Sequence, residues 1–286
     1  MSAADTLLAV PRAKRLRGNV PVGTILAGIV VAAVIAAALV PGLFTHLDPE
    51  EAVLGSVFQP PSAAHPFGTD HLGRDVASRV VHGARYSLLI GVGAALLSLL
   101  IGTLLGLLSV YLPFGLDRLV QRGVDILLAF PELLLALLII AVLGRGPVNT
   151  LIAVGLAGAA GYARLVRSQV LSARLSGYAE QAKVLGESPL RVVASRVLPN
   201  IARPIVVLAT IGVGTSILSA SGLSFLGLGV APPTPEWGAL LSEGRSYLST
   251  APWASVFPAT AIALSVVSIT VLGRSLQARL TKGTGA

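Results

Sequence analysis

The sequence has no cysteine, one methionine, two tryptophans and few charges. Without cysteine there is no disulfide framework, no thiolate metal site and no thiol chemistry. Charged residues fill 12% of the 286 positions, where a soluble domain usually carries about 25%. No Gly-x-x-x-x-Gly-Lys-Ser/Thr stretch occurs, which excludes that means of cradling nucleotide phosphates. No serine–histidine–carboxylate or metal-hydrolase pattern takes its place. The residues do not suggest an enzyme.

Apolar length is what the chain has instead. It is 54% hydrophobic, with a mean hydropathy of +0.82. Crossing about 30 Å of hydrocarbon takes roughly 20 mostly apolar residues. Six windows meet that need: 20–43, one within 87–116, 126–143 interrupted only by Glu132, 146–163, one within 204–235 and one within 246–273. The expectation is an all-α membrane protein of six transmembrane helices. Arg12, Lys14, Arg15 and Arg17 precede the first window and no small-residue cleavage site ends it. It reads as a retained span rather than a cleaved leader. Glycine and alanine recur in all six windows, which suits close helix contact in lipid. Gly102 and Gly106 form a small-xxx-small pair, a spacing that chance also supplies in so glycine-rich a chain.

The net charge of +8 fits either nucleic acid or the positive-inside bias of a membrane protein. Its distribution decides. With the N-terminus inside, the inside segments carry 16 Lys and Arg and the outside segments 5, namely Arg74, Arg79, Arg85, Arg145 and Arg245. Both termini are therefore expected in the cytoplasm, and nucleic acid drops out as a partner. Membrane lipid takes its place.

The longest inside segment, 164–203, reads as two short helices around a sharp turn. Tyr178, Ala182 and Leu185 share one face of the first. Gly186 suits the position after a helix end, Ser188 an N-cap and Pro189 the first helical position. Leu190, Val193, Ala194 and Val197 give the second helix an apolar stripe, and Pro199 is expected to end it. Such a hairpin suits a partner protein as a handle; an ordinary solvated loop with caps reads equally well.

This segment resembles the EAA motif of ABC importer permeases, Glu-Ala-Ala, three residues, Gly, then a hydrophobic residue and proline. Glu180, Ala182 and Gly186 match, Leu198 and Pro199 fall at the expected distance, and Gln181 stands in place of the first alanine. The resemblance implies a coupling helix seated in a groove of an ATPase subunit. A second stretch, His65-Pro66-Phe67-Gly68-Thr69-Asp70-His71-Leu72-Gly73-Arg74-Asp75 with Ser78-Arg79, is similar to the signature of the dipeptide/oligopeptide/nickel subfamily and matches its C-type permease. Ser87 to Gly91, Phe130-Pro131 and Ser224 to Gly229 are similar to further stretches of those subunits. The resemblance covers most of the chain from about residue 20 onward.

That resemblance implies a type I ABC importer permease fold in a cytoplasmic (inner) membrane. Its implied division is 1–84 for the N-terminal tail, first helix and external segment, 85–277 for a five-helix transmembrane domain carrying the hairpin 164–203, and 278–286 for a tail. Implied partners are a homologous second permease, two ATP-binding subunits or domains and an extracytoplasmic substrate-binding protein. ATP and Mg would bind those partners, and no cofactor this chain. The implied activity is alternating access for di- or oligopeptides or a related small solute, with Glu180 and the turn at Gly186 transmitting ATPase motion. Two other classes stay open. A gradient-driven carrier should show buried charges in broken spans or an inverted repeat, and a membrane scaffold should show no conduction path.

Some remaining residues carry expectations of their own. All four histidines, His46, His65, His71 and His82, lie in the outside segment. Metal or haem ligation is conceivable, but their spacing is not a metal-ligand pattern. Glu132 is the only ionisable residue inside a window. It is a candidate for the translocation path, or a structural carboxylate near the cytoplasmic interface, where a helix start favours it. Asp70, Arg74, Asp75 and Arg79, with Val76 and Val80, suggest either a short amphipathic helix at the membrane surface or the outer mouth where a binding protein docks. Trp237 and Trp253 read as interface anchors.

Overall fold

The computed structural model describes residues 21–113, 115–174 and 187–282. Among them the fold is helical, with one isolated bridge pairing Thr69 and Asp75. Five helices are long and apolar enough to span a membrane, and a sharply bent pair supplies a sixth.

Helix α1 (Val22–Leu39) is apolar all round and mostly uncovered, as a lipid-facing span should be. Ala27 is buried in its first half, and at its far end Ala37 and Ala38 pack with Ala84, Trp237, Leu240 and Ile262. Helix α2 (Val76–Tyr111) has 36 residues, about 54 Å at 1.5 Å per residue. That exceeds the hydrocarbon thickness, so it tilts or stands proud of it. Asp75 caps it by accepting from Ser78 N at 3.0 Å, and nothing interrupts it before Pro113. Val76 and Val80 are thus the first turns of this long helix, not a separate surface helix as the sequence suggested.

The third span is where pattern and structure part most. The window 126–143 looked continuous, yet the chain forms α3 (Leu116–Ala129) and α4 (Glu132–Leu143) at 98° to one another. Pro131 disfavours helical backbone at Phe130, which is extended at φ −89°, ψ 139°. Hydropathy registers only composition and cannot see such a corner. Helix α5 (Pro147–Arg174) then runs well past its expected end, because arginines at one end of a span do not stop a helix.

A helical turn at Pro189–Val192 leads through a π segment, Val193–Val197, into α6 (Leu198–Phe225). Pro199 was expected to end a helix, but it lies in the first turn of α6. Leu198 N bonds to Val193 O across the wider turn. That turn helps accommodate a proline, which lacks an N–H and crowds the carbonyl four residues back. Helix α7 (Trp237–Gly244) folds back between the last two spans, and α8 (Trp253–Lys282) closes the bundle.

In lipid, burying apolar side chains gains little, so small residues and hydrogen bonds hold helices together. The contact of α2 with α5 shows this. A Cβ on Gly102 would stand 2.8 Å from Ala159 O and 2.9 Å from Ala163 N, and one on Gly106 2.9 Å from Ala163 O. The small-xxx-small pair is thus the site of a backbone-to-backbone contact. Ser98 of α2 donates to Gly155 O of α5 at 2.7 Å. Near the end where α5 finishes, Val166 and Val170 pack with Val192, Val197, Ile201 and Ile205.

Candidate functional site

At the end of the bundle that carries α7, the segment after α1 folds into a knot. Gly68 (φ +70°) and Gly73 (φ +75°) take backbone turns closed to most side chains, and a Cβ on Gly73 would collide with Val53 O. Thr69 accepts from Gln59 N at 2.7 Å and donates to Ser56 O, while Trp253 Nε1 donates to Thr69 O at 2.9 Å. Phe67 stacks on Phe257 of α8 at 4.0 Å. His65 Nδ1 lies 3.4 Å from Asp75 Oδ1.

Four charges close the knot against α7. Asp70 Oδ1 accepts from Leu72 N (2.8 Å) and Arg74 N (3.0 Å). Its Oδ2 accepts from Arg74 Nε and Arg79 Nη1, both at 2.7 Å. Arg74 Nη2 reaches Glu243 Oε2 at 2.7 Å, and Arg79 Nη2 lies 3.3 Å from the same oxygen. Arg79 is 1% exposed and Arg74 3%. Two guanidinium groups and two carboxylates thus sum to zero in a buried setting, which makes the burial tolerable. Burial acts to raise the Asp70 carboxyl, but the Leu72 amide, the two guanidinium charges and the Arg74 amide outweigh it and hold it below the usual carboxylate range.

A further buried acid, Glu236, sits beside this knot at 1% exposure. It caps α7, accepting from Gly238 N (3.0 Å) and Ala239 N (2.9 Å), and accepts from Ser87 Oγ at 2.9 Å. Trp237 is 2% exposed and donates from Nε1 to Val80 O at 2.8 Å. The expected interface anchors are therefore both internal fasteners. Trp237 is buried, and Trp253 is half-buried against Thr69. Neither Glu236 nor Glu243 was singled out from the sequence. Their partners lie some 150 to 169 positions away, and only the Pro-Glu-Trp-Gly cap hinted at one of them.

His65, His71 and His82 each make a contact within the fold. His71 stacks on Tyr247 at 5.3 Å, and His82 Nδ1 lies 2.9 Å from Ser78 O. Donor atoms of Asp70, His71 and Glu243 lie within 4.8 Å of one another. Both Asp70 oxygens and Glu243 Oε2 are already committed to arginine or backbone donors, so this group suits guanidinium rather than a metal ion.

Glu132 lies in a different place from the one expected. Its Oε1 is 3.7 Å from where a Cβ on Gly158 would stand, Ser219 is within hydrogen-bonding reach, and Tyr162 is close enough to interact electrostatically. Gly158 lies about 17 Å along α5 from its start, so the carboxylate is deep in the bundle rather than at an interface. The corner at Pro131 puts it there. It is nonetheless exposed on the open face of the chain, beside the uncovered Leu133 and Leu134.

Of the resemblance-based coupling residues, Glu180, Gln181, Ala182 and Gly186 lie outside the described residues. Leu198 is half-buried and Pro199 exposed, at the start of α6.

Long apolar helices, a sharply bent helix pair and a mid-depth carboxylate without an ion-pair partner among the described residues are the build expected of a membrane transport protein. The chain belongs to the family of binding-protein-dependent transport system inner membrane components, whose model matches residues 69–285. It is 45% identical over 219 residues to a dipeptide transport system permease protein DppC of Alkalihalophilus pseudofirmus, covering 77% of this chain and 72% of that one. A di/tripeptide transport system permease protein DppC of Pseudomonas aeruginosa is 43% identical, covering 80% and 78%. A glutathione transport system permease protein GsiD of Escherichia coli is 47% identical, covering 76% and 72%. The fold resembles a chain of the MetNI methionine ABC transporter, at 21% identity and a TM-score of 0.58, covering 70% of this chain and 95% of that one. The protein is thus a multi-pass inner-membrane permease with a type I importer fold.

Proposed function

We propose that this chain is one of two permease subunits of an ATP-driven importer for di- or oligopeptides. Two ATPase subunits or domains, with ATP and Mg, would drive it, and an external binding protein would deliver cargo. The observation that carries the reading is Glu132. A carboxylate exposed at mid-depth cannot face hydrocarbon without a large cost. The face formed by the start of α4, Gly158 to Tyr162 of α5 and Thr215 to Ser219 of α6 therefore borders water or another subunit. A translocation path between two such permeases satisfies both. Peptide as cargo is supported by the names of the relatives, each transporting a dipeptide, a tripeptide or glutathione.

The excess of basic residues supports a cytoplasmic position for the end with 164–203. There Glu180 and Gly186 transmit ATPase closure, and the α7 end faces outward to the binding protein. His65, Gly68, Asp70, Gly73, Arg74 and Asp75 build the outer knot beside that docking side.

The test is uptake of dialanine into proteoliposomes holding the full complex. ATP-dependent uptake in wild type, with Gly186→Val hydrolysing ATP but not transporting, is the expected result. A β-branched residue is strongly disfavoured where φ > 0 is needed. The broken third span and its acid are features shared with gradient-driven carriers. Uptake that ignores ATP and follows an imposed ion gradient would overturn the reading.

A further inference from the structure

We propose that Glu132 receives the free α-ammonium group of a peptide on its way through the permease. The inference rests on the peptide-importer reading and adds the chemical group that the path recognises.

Three observations support it. The first is the lack of a cation. Among the described residues, the ion pairs join Asp70 and Glu243 to Arg74 and Arg79, Asp75 to His65, Asp125 to Arg164 and Glu187 to Arg196. None uses Glu132, although it lies where a lone charge is most costly.

The second is the company it keeps. Toward α5 and α6 its neighbours are hydroxyl groups and glycine. Ser219 is within hydrogen-bonding reach and Tyr162 is nearby. Tyr162 directs its OH to Leu208 O at 3.4 Å, and Ser98 directs its hydroxyl to Gly155 O. An ammonium group is a compact cation with three donors and no acceptor. A carboxylate flanked by a serine oxygen offers it acceptors of the right kind.

The third is room. Gly158 itself packs on α2, where a Cβ would stand 2.7 Å from Ser98 Oγ, but Glu132 is exposed and a Cβ on Gly161, one turn further, would meet nothing within 4 Å. The acid stands at an opening rather than in a packed core. A divalent metal would need further ligands, and a lipid tail would need no carboxylate. A peptide with a free amino end supplies the one missing charge.

The test uses the full complex in proteoliposomes, with radiolabelled dialanine as probe and binding protein loaded to saturation. Glu132→Gln should lower ATP-driven uptake roughly tenfold or more. The complex should stay assembled, and its ATPase should still respond to loaded binding protein. Glu132→Asp, which keeps the charge, should recover part of the rate. Unchanged uptake in an assembled Glu132→Gln complex would overturn the proposal. So would loss of the second permease from that complex, because the carboxylate would then belong to a subunit contact. If the wild-type complex takes up no dialanine at all, the importer reading itself falls and the proposal falls with it.

Discussion

Replacing Asp70 by asparagine changes one atom in the charge lock and separates its two halves. Oδ1 would go on accepting from the amides of Leu72 and Arg74, so the turn has no reason to unfold. The group replacing Oδ2 would be an NH2 facing Arg74 Nε and Arg79 Nη1, each now 2.7 Å from that position. Two charge-assisted bonds become two donor–donor clashes. The buried cluster also goes from neutral to one net positive charge, on arginines exposed by 1% and 3%. Removing one member of a buried ion pair costs about 3–5 kcal/mol. For a chain of this size that lowers the melting temperature on the order of 10 °C. The measurement is thermal unfolding of the purified complex in detergent. Asp70→Asn, Arg79→Met and the double variant form a double-mutant cycle. A coupling well above 1 kcal/mol is expected, with the double variant more stable than Asp70→Asn alone. Additive effects, or an Asp70→Asn shift under about 2 °C, would refute the idea that these four charges act as a closed unit. The pH dependence has a definite sign. A carboxyl held below its ordinary value stabilises the fold fully above about pH 4. That stability is lost as pH falls through the folded value. The gap between wild type and Asp70→Asn should therefore be constant near neutrality and shrink below about pH 4.

Other variants probe the packing. Gly102→Ala drives a methyl group into the backbone of α5 and should cost about 1–3 kcal/mol by overpacking, seen as lower yield and melting temperature. Gly28→Ala, where a Cβ meets nothing within 4 Å, should be silent in the same assay. Trp237→Phe removes the indole donor to Val80 O, a carbonyl that stays in the α2 helical ladder, and should cost about 0.5–1.5 kcal/mol; a wild-type melting curve would show that this bond does not fasten α7 to α2.

The sequence made the number of spans legible because charge-free length is a property of composition. The bend at Pro131 was equally written there, as Phe-Pro-Glu, but a window average hides it, and so Glu132 was expected near an interface. The coupling of the two ends of the chain was not legible. Arg74 and Glu243 are 169 positions apart, and nothing local says that an exposed-looking glutamate will meet a buried arginine. The signature residues could be picked out as a block, yet their work is internal: glycine turns, threonine hydrogen bonds and an aspartate between two arginines. Trp237 followed a statistical habit of membrane proteins that its own hydrogen bond to Val80 overrides. Pro199 looked like a stop because a proline usually is one, and the π turn before it is visible only in the backbone.

That π turn has a mechanical consequence. Since the chain does not break at Pro199, it is one rod from Pro189 to Phe225, and Phe225 O accepts from Ser242 of α7 at 2.7 Å. A push applied where the rod begins is not absorbed by a loop. The shaft can bend at two points in its first half, the wider turn at Val193–Val197 and the proline at Pro204, and what is not spent there reaches the far end, beside the buttress of arginine and glutamate.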